Sequence, residues 1–293
     1  MHIFITGGRG FVGSALTEFF LKKKYKITIL SRELSDLSDV RVINSIDEII
    51  PDEKIDVIIN LAGAPINKRW SESYKEQLDK SRLDITRDVV SLIKSLKTKP
   101  ELFISASAIG YYGSQNNEYI DEDSTYIDDF THELCDLWEQ EAAKAEKLGV
   151  RTCITRLGVV LGKNGGALKE MLPAFKLGVG GKIGSGKQFF SWVHMDDVVN
   201  VFNFFIQDRN QTGKYNLTSP NPITNYDFTK ELGKTLCRPT VFPLPDFVVK
   251  MIFGEMGDKL LLNGAAIYPK KLLDSGYSFK FKTIDLALKD ILN

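Results

Sequence analysis

Three glycines near the start of the chain carry the first chemistry that can be read from it. Gly7, Gly10 and Gly13 follow a short apolar run, His2-Ile3-Phe4-Ile5, and precede Ser14 to Lys22, where apolar residues recur at helical spacing. Strand, glycine turn and helix in that order give a tight turn, close backbone approach and a helix N-terminus whose free N–H groups suit a pyrophosphate. A glycine trio alone says little; this context, at the chain start between a β-rich run and an amphipathic helix, is what the motif requires. The next apolar run, Lys26 to Leu30, ends at Ser31-Arg32-Glu33, where the adenosine ribose of a dinucleotide would lie. An NAD site places a carboxylate at that tip, and a carboxylate repels the 2′-phosphate of NADP. Ser31 is neutral there, and the guanidiniums of Arg9 and Arg32 can converge on a dianion, so the expected cofactor is NADP(H). The alternative is that both arginines are solvated surface charges and Glu33 takes the ribose.

Other reactive side chains are scattered. Arg156 follows an apolar run and suits an anionic substrate group or a neighbouring carboxylate, and Lys187 and Gln188 lie in a glycine-rich span that could line a substrate mouth. Asp196 and Asp197 read as the cap and start of a helix rather than as ligand contacts. His194 has no second nitrogen or carboxylate at ligand spacing, so no metal is expected. Lys68-Arg69-Trp70 and Ser81-Arg82 are either flanks of the cofactor phosphates or charged helix surface. Cys135, Cys153 and Cys237 are widely spaced and read as thiols of a reducing compartment, by default the cytoplasm.

The elements that must position these groups alternate. At 293 residues, 43% hydrophobic and 26% charged, the chain has ample core. Lys+Arg and Asp+Glu stand at 38 each, so no global field favours nucleic acid or membrane, and a small-molecule partner is expected, with the chain a monomer or homodimer. Asp56 to Ala62 is a nearly continuous β-branched run, as in a parallel strand buried on both faces. Ser71 to Leu96 reads as a long helix, Leu102 to Ser105 as a strand, Phe130 to Leu148 as a helix stopped by Gly149, and Thr152 to Leu157 as a strand. Two weak elements lie near Val40 to Ile43 and Ile46 to Ile50. The strand tips at Thr6, Ser31, Ala62, Ser107 and Gly158 then share one edge of a doubly wound α/β sheet, where such sheets bind ligands. Beyond Gly162, glycines crowd the span to Gly186, Lys214 to Leu217 looks like a returning strand, and Thr224 or Asn225 caps a helix. An apolar helix ends at Phe253 and a helical tail runs from Ile284 to Leu292. The expected division is a dinucleotide-binding core over 1–162 with a returning segment at about 190–218, and a smaller mixed C-terminal substrate or cap region over 163–189 and 219–293.

Several segments together carry a family likeness: Thr6 to Gly13, Asn60-Leu-Ala-Gly-Ala-Pro65, Ser105 to Gly113, Arg156 to Gly162, Gly184 to Gln188, Ser191 to Asp197, and Pro269 to Leu273. On these the chain resembles the extended short-chain dehydrogenase/reductase superfamily, and within it the atypical "epimerase family" branch that ends in a C-terminal domain of unknown function. The resemblance implies a Rossmann sheet with NADP(H) held by Thr6, Gly7, Gly8, Arg9, Gly10, Phe11, Val12, Gly13, Ser31, Arg32, Leu61, Ala62, Gly63 and Ser105. It also implies hydride transfer helped by a Ser after the fifth strand, a Tyr, and a Lys four residues on that shares the Tyr's helix face. Ser107 suits the first role. The helix from Phe130 contains no Tyr, and its first Lys is Lys144. The single Tyr-x-x-x-Lys, Tyr226 to Lys230, falls on an outer helix and reads as chance. Tyr111, Tyr112, His132 and Glu133 are the substitutes for the missing acid, each with a structural role as its alternative. The expected activity is that of an NADP(H)-dependent oxidoreductase or epimerase acting on a small polar substrate, nucleotide sugars among the candidates. The alternative is a catalytically silent NADP(H)-binding redox sensor or scaffold.

Overall fold

The computed structural model describes residues 1–33, 39–115 and 119–292. β1 (His2–Thr6) leads through the glycine turn into α1 (Phe11–Lys22), and β2 (Lys26–Leu30), β3 (Val40–Ile43), β4 (Val57–Asn60), α2 (Glu72–Ser95), β5 (Leu102–Ala108), α3 (Phe130–Ala143) and β6 (Arg151–Leu157) follow. The remainder runs β7 (Val159–Leu161), α4 (Gly166–Lys176), β8 (Phe189–Phe190), β9 (Trp192–His194), α5 (Met195–Gln207), β10 (Gly213–Leu217), β11 (Ile223–Thr224) and α6 (Asn225–Leu236), then α7 (Asp246–Phe253), α8 (Glu255–Leu261), α9 (Lys270–Asp274) and α10 (Ile284–Leu292). The weak second element after β3 is a single 3-10 turn, Ile46–Glu48. Within the glycine-rich span lies α4, which starts at Gly166 and ends before Gly178.

Seven parallel strands form one sheet in the order β10-β6-β5-β4-β1-β2-β3. The chain winds outward from β1 in both directions, so the switch point lies between β1 and β4. The doubly wound α/β fold is therefore the expected one, and all strand tips reach one edge. Side chains alternate between the two faces of each strand. Ile3 and Ile5 join Leu16 and Phe20 of α1 and Phe202 and Phe205 of α5, whereas Phe4 and Ile58 join Val89 and Ile93 of α2 and Ala142 of α3. Both faces are covered, which is why these strands read as unbroken apolar runs. A third cluster, with Leu161, Leu168, Trp192, Phe228 and Leu288, joins the later elements. No described helix is long and apolar enough to cross a membrane.

Thr224 caps α6, its side chain accepting from the Asp227 N–H, as expected. The cap of α5 is not Asp196 or Asp197 but His194, whose Nδ1 accepts from the Asp196 N–H at 3.0 Å. Asp197 is fully buried, because its carboxylate takes the backbone N–H groups of Lys280 (2.7 Å) and Phe281 (2.9 Å) and so ties the C-terminal segment to α5.

A separate apolar cluster seams α7 and α8 to the core. Trp70, Leu78, Leu134 and Met256 form it, with Phe130 and Phe253 packed against them. Around it, Lys75 pairs with Glu255 at 2.7 Å, Lys259 with Asp129 at 3.1 Å, and Arg69 donates to the Met251 carbonyl at 3.0 Å.

Candidate functional site

The glycine turn fits a bound phosphate by what it leaves out. Gly7 has φ of +68°, and a Cβ there would lie 2.9 Å from the Leu61 carbonyl carbon. A Cβ on Gly13 would stand 2.2 Å from the Gly7 carbonyl oxygen, which instead accepts from the Gly10 N–H at 2.9 Å. α1 starts at Gly10 with no side-chain cap and no acid in its first turn, so the positive end of its dipole carries no counter-charge from its own residues. Not every residue of the motif points at this cradle. Gly8 is buried beneath Ile29, where a Cβ would sit 2.8 Å from that side chain. The Phe11 ring packs on Gly162, Gly165 and Gly166, which accounts for three of the later glycines. Val12 is half-buried against the α1 core. Thr6 is fully buried. Its hydroxyl donates to Asn60 Oδ1 at 2.6 Å and accepts from the Leu61 and Ala62 N–H groups, so it sets the β4 tip beside the turn instead of facing the crevice.

At the ribose end, the Ser31 N–H continues the sheet to Ile43, and its hydroxyl accepts from the Glu33 N–H at 3.1 Å. Arg32 and Glu33 are exposed and Arg9 is half-buried. A cleft of about 580 Å³ opens beside the β2 tip, lined by Leu30, Asn44, Ser45, Ile46, Ile85 and Asp88 among others. Sequence reasoning missed this wall; its signal was the Ser45-x-x-Glu48 capping box at the end of β3.

Beneath the β5 tip lies a buried polar network. The strand register sets Ser107 beside Arg156. Glu139, from α3, receives Arg156 through two bonds, Nε to Oε1 at 2.8 Å and Nη2 to Oε2 at 2.9 Å. Ser107 Oγ donates to the same Oε1 at 2.8 Å, and Lys214 Nζ lies 3.0 Å from Oε2. Arg156 Nη1 donates to the Tyr112 hydroxyl at 3.0 Å, which donates to Asn216 Oδ1 at 2.7 Å. Burial pushes the Glu139 carboxyl up, but Arg156 and Lys214 outweigh it and hold it below the ordinary range. Arg156 is likewise pulled down by burial and held up, on balance, by Glu139.

This network decides between the alternatives held for two residues. Arg156 is 2% exposed and fully engaged by a carboxylate, so it does not address a substrate at the mouth. Tyr112 is 1% exposed, and burial pushes its phenol up to about 12, which unsuits it as a proton donor. The Ser107 hydroxyl is present at the expected tip but committed to Glu139. Ser105 is fully buried, sharing the sheet interior with Asn60 at 3.4 Å, and does not reach a cofactor.

The face of α3 toward this tip carries Thr131 and Cys135 at i, i+4, and no Tyr. A Cβ built on Gly110 would lie 3.3 Å from Thr131 Cβ and 3.6 Å from Cys135 Sγ. Burial pushes the Cys135 thiol up to about 12. His132 is buried, its Nδ1 2.5 Å from the Tyr111 carbonyl and its ring stacked on Tyr126 at 3.6 Å, whereas Glu133 is exposed. Tyr111 is half-buried with its ring 3.4 Å from the Arg156 guanidinium, and its hydroxyl is bonded to no described residue. Tyr226 and Lys230 are exposed on α6, outside the crevice.

At the expected mouth, Lys187 is exposed. Gln188 is mostly buried and acts as a tie: its Nε2 donates to the Ile183 and Leu261 carbonyls at 3.0 and 2.8 Å. On the β4 side, Leu61 and Ala62 are half-buried and Gly63 exposed at the strand tip. The Ala64 N–H donates to Ser81 Oγ at 2.9 Å and the Ala64 carbonyl accepts from Arg82 Nη2 at 3.0 Å. Among the described residues, no group of three His, Cys, Asp or Glu side chains could hold a metal.

Residues 3–218 match the model of the NAD dependent epimerase/dehydratase family, and residues 244–291 match a domain of unknown function, DUF1731. The chain belongs to the NAD dependent epimerase/dehydratase family. It is 36% identical over 299 residues to the epimerase family protein YfhF of Bacillus subtilis, covering 100% of this chain and 98% of that protein. It is also 36% identical over 303 residues to the chloroplastic SDR39U1 homolog of Arabidopsis thaliana, covering 100% of this chain and 87% of that protein. Among solved structures, human epimerase family protein SDR39U1 (isoform 2) with NADPH superimposes with a TM-score of 0.91 at 32% identity, covering 99% of each chain. The DUF1731 match spans α7 to α9 and all but the last residue of α10.

Proposed function

We propose that this chain binds NADP(H) across the carboxyl edge of its sheet, without the Tyr and Lys proton relay of the wider superfamily. The cradle at Gly7, Gly10 and Gly13 carries the reading, because side chains on Gly7 and Gly13 would collide with backbone there. The NADPH in the structure of the human relative supports the choice of nicotinamide cofactor, and the guanidiniums of Arg9, in the glycine turn, and Arg32, just past β2, offer the charge that a 2′-phosphate needs. Bound, the nicotinamide would supply hydride chemistry. The chain's own residues hold the phosphates at the turn and close the floor of the pocket with the network of Ser107, Glu139, Arg156 and Tyr112. In that floor the Ser107 and Tyr112 hydroxyls are committed to Glu139 and Asn216, which favours a dinucleotide-responsive binder, a sensor or scaffold. The unpaired cysteines, Cys135 and Cys153 buried and Cys237 exposed, suit a reducing compartment such as the cytoplasm. Fluorescence titration with NADPH and NADH tests the reading: tighter binding of NADPH is expected, and equal affinities or no binding overturn it.

One observation favours an oxidoreductase or epimerase acting on a small-molecule substrate. The Tyr111 ring lies against Arg156, the strand neighbour of Ser107, and its hydroxyl is bonded to no described residue. A screen of NADPH oxidation over carbonyl compounds and sugar nucleotides, run with wild type and Tyr111→Phe, separates the two. Turnover lost in Tyr111→Phe establishes the enzyme, and silence together with tight NADPH binding establishes the binder.

A further inference from the structure

Two of the guanidiniums near the strand tips, those of Arg156 and Arg82, are treated differently. Arg156 is met by both oxygens of Glu139. Arg82, on α2, is half-buried and meets only neutral acceptors: Nη1 donates to the Leu78 carbonyl at 3.1 Å, and Nη2 to the Ala64 carbonyl at 3.0 Å. Its carbon lies 5.4 Å from the Trp138 ring centre. Among the described residues no carboxylate comes within ion-pair distance of it. Burial works against this charge and lowers its pKa, so the site as built holds a cation at a cost.

The place of this cation says what would offset that cost. Arg82 is bonded to Ala64, two residues beyond Ala62, and the Leu61–Ala62 backbone is what a Cβ on Gly7 would strike, at 2.9 to 3.0 Å. Between them stands Gly63, exposed and without a side chain, where a Cβ would lie 3.1 Å from the guanidinium carbon. One stretch of β4 tip backbone therefore separates the glycine turn from a guanidinium that retains unused N–H donors.

We propose that Arg82 supplies the positive charge for the diphosphate of the dinucleotide held at the glycine turn. This rests on the NADP(H) reading. A phosphate oxygen offers what the carbonyls of Leu78 and Ala64 lack, a full negative charge for a planar donor fork. The contact belongs to the diphosphate and not to the ribose phosphate, so it serves affinity for any dinucleotide and leaves the choice between NADP and NAD to Arg9 and Arg32.

Calorimetric titration of the full chain with NADPH, NADH, ADP-ribose and adenosine 2′-monophosphate tests this, in wild type, Arg82→Gln and Arg82→Lys. The first three ligands contain the diphosphate and the fourth does not. Arg82→Gln should weaken those three by about tenfold or more and leave the fourth unchanged, with Arg82→Lys intermediate. Unchanged affinities in Arg82→Gln overturn the proposal, as does a loss confined to NADPH and the 2′-monophosphate, which would assign the charge to the ribose phosphate. If Arg82→Gln does not fold, Arg82→Lys decides alone: weakened diphosphate ligands support the assignment, and wild-type affinities overturn it. A wild type that binds none of the four ligands removes the cofactor reading itself. A wild type that binds them, with variants that bind equally well, removes only the role of Arg82.

Discussion

Glu139 closes on Arg156 with both carboxylate oxygens, and one of them, Oε1, accepts from Ser107 Oγ at the same 2.8 Å at which it accepts from Arg156 Nε. The hydroxyl that should orient a substrate is thereby held by the ion pair that supports the β5 and β6 tips. Breaking a buried pair costs far more than losing a neutral bond, because one charge is left without its partner. Glu139→Gln should destabilise the fold by about 3–5 kcal/mol and Ser107→Ala by about 1 kcal/mol. Urea denaturation at neutral pH measures both, and equal small losses would mean that Arg156 finds another counter-charge.

Acid should unfold the protein in two stages. His2 and His194 are buried and held below the ordinary value of 6.5. Their contribution is complete above that value and is lost as pH falls through their lower folded values. Glu139 and Asp129 are held below 4.5 and 3.8 by their partners despite burial, so their contribution is complete above those values and disappears below them. Stability followed by urea midpoint should decline gently below about pH 6.5 and steeply below about pH 4.5. His194→Gln should flatten the first limb only.

Cofactor preference should turn on Arg32. In Arg32→Ala the affinity for NADPH should fall by about tenfold while that for NADH stays, since only the former offers a 2′-phosphate. Fluorescence titration of both nucleotides checks it. Parallel losses would place Arg32 at a group that the two cofactors share.

Gly13→Ala should abolish dinucleotide binding. The added carbon would stand 2.2 Å from the Gly7 carbonyl oxygen, so the turn must open to admit it. A lowered melting temperature with no detectable NADPH binding is expected, and a variant that binds normally would show that the turn is not the phosphate cradle.

The sheet was legible because its signals are local. A β-branched run such as Asp56 to Ala62, or a glycine turn between strand and helix, declares itself within a few residues. The network was not. Arg156 ends an apolar run and looks like a residue at an open tip, whereas its fate depends on β5 lying beside β6 and on Glu139 turning inward one helix earlier. Nothing near Arg156 in the chain says so. His194 and Asp197 show the same limit. The cap was read onto Asp196 and Asp197 and His194 as a lone histidine, but His194 supplies the cap, and Asp197 is drawn to backbone more than 80 residues later. The missing Tyr, by contrast, was legible, since an i, i+4 pair is a local pattern and α3, Phe130–Ala143, contains neither Tyr nor Lys.

The seam at Trp70, Phe130 and Met256 makes the last fifty residues part of the same cooperative unit as the first hundred and thirty. A single protease nick in the exposed Val241–Pro243 stretch would sever the chain without parting it, because the apolar seam, the Asp197 clamp and the Lys259–Asp129 bridge would still hold the two fragments as one folded particle. Conversely, a shortened version ending before that stretch would expose an indole and a phenyl ring to water and would be expected to self-associate.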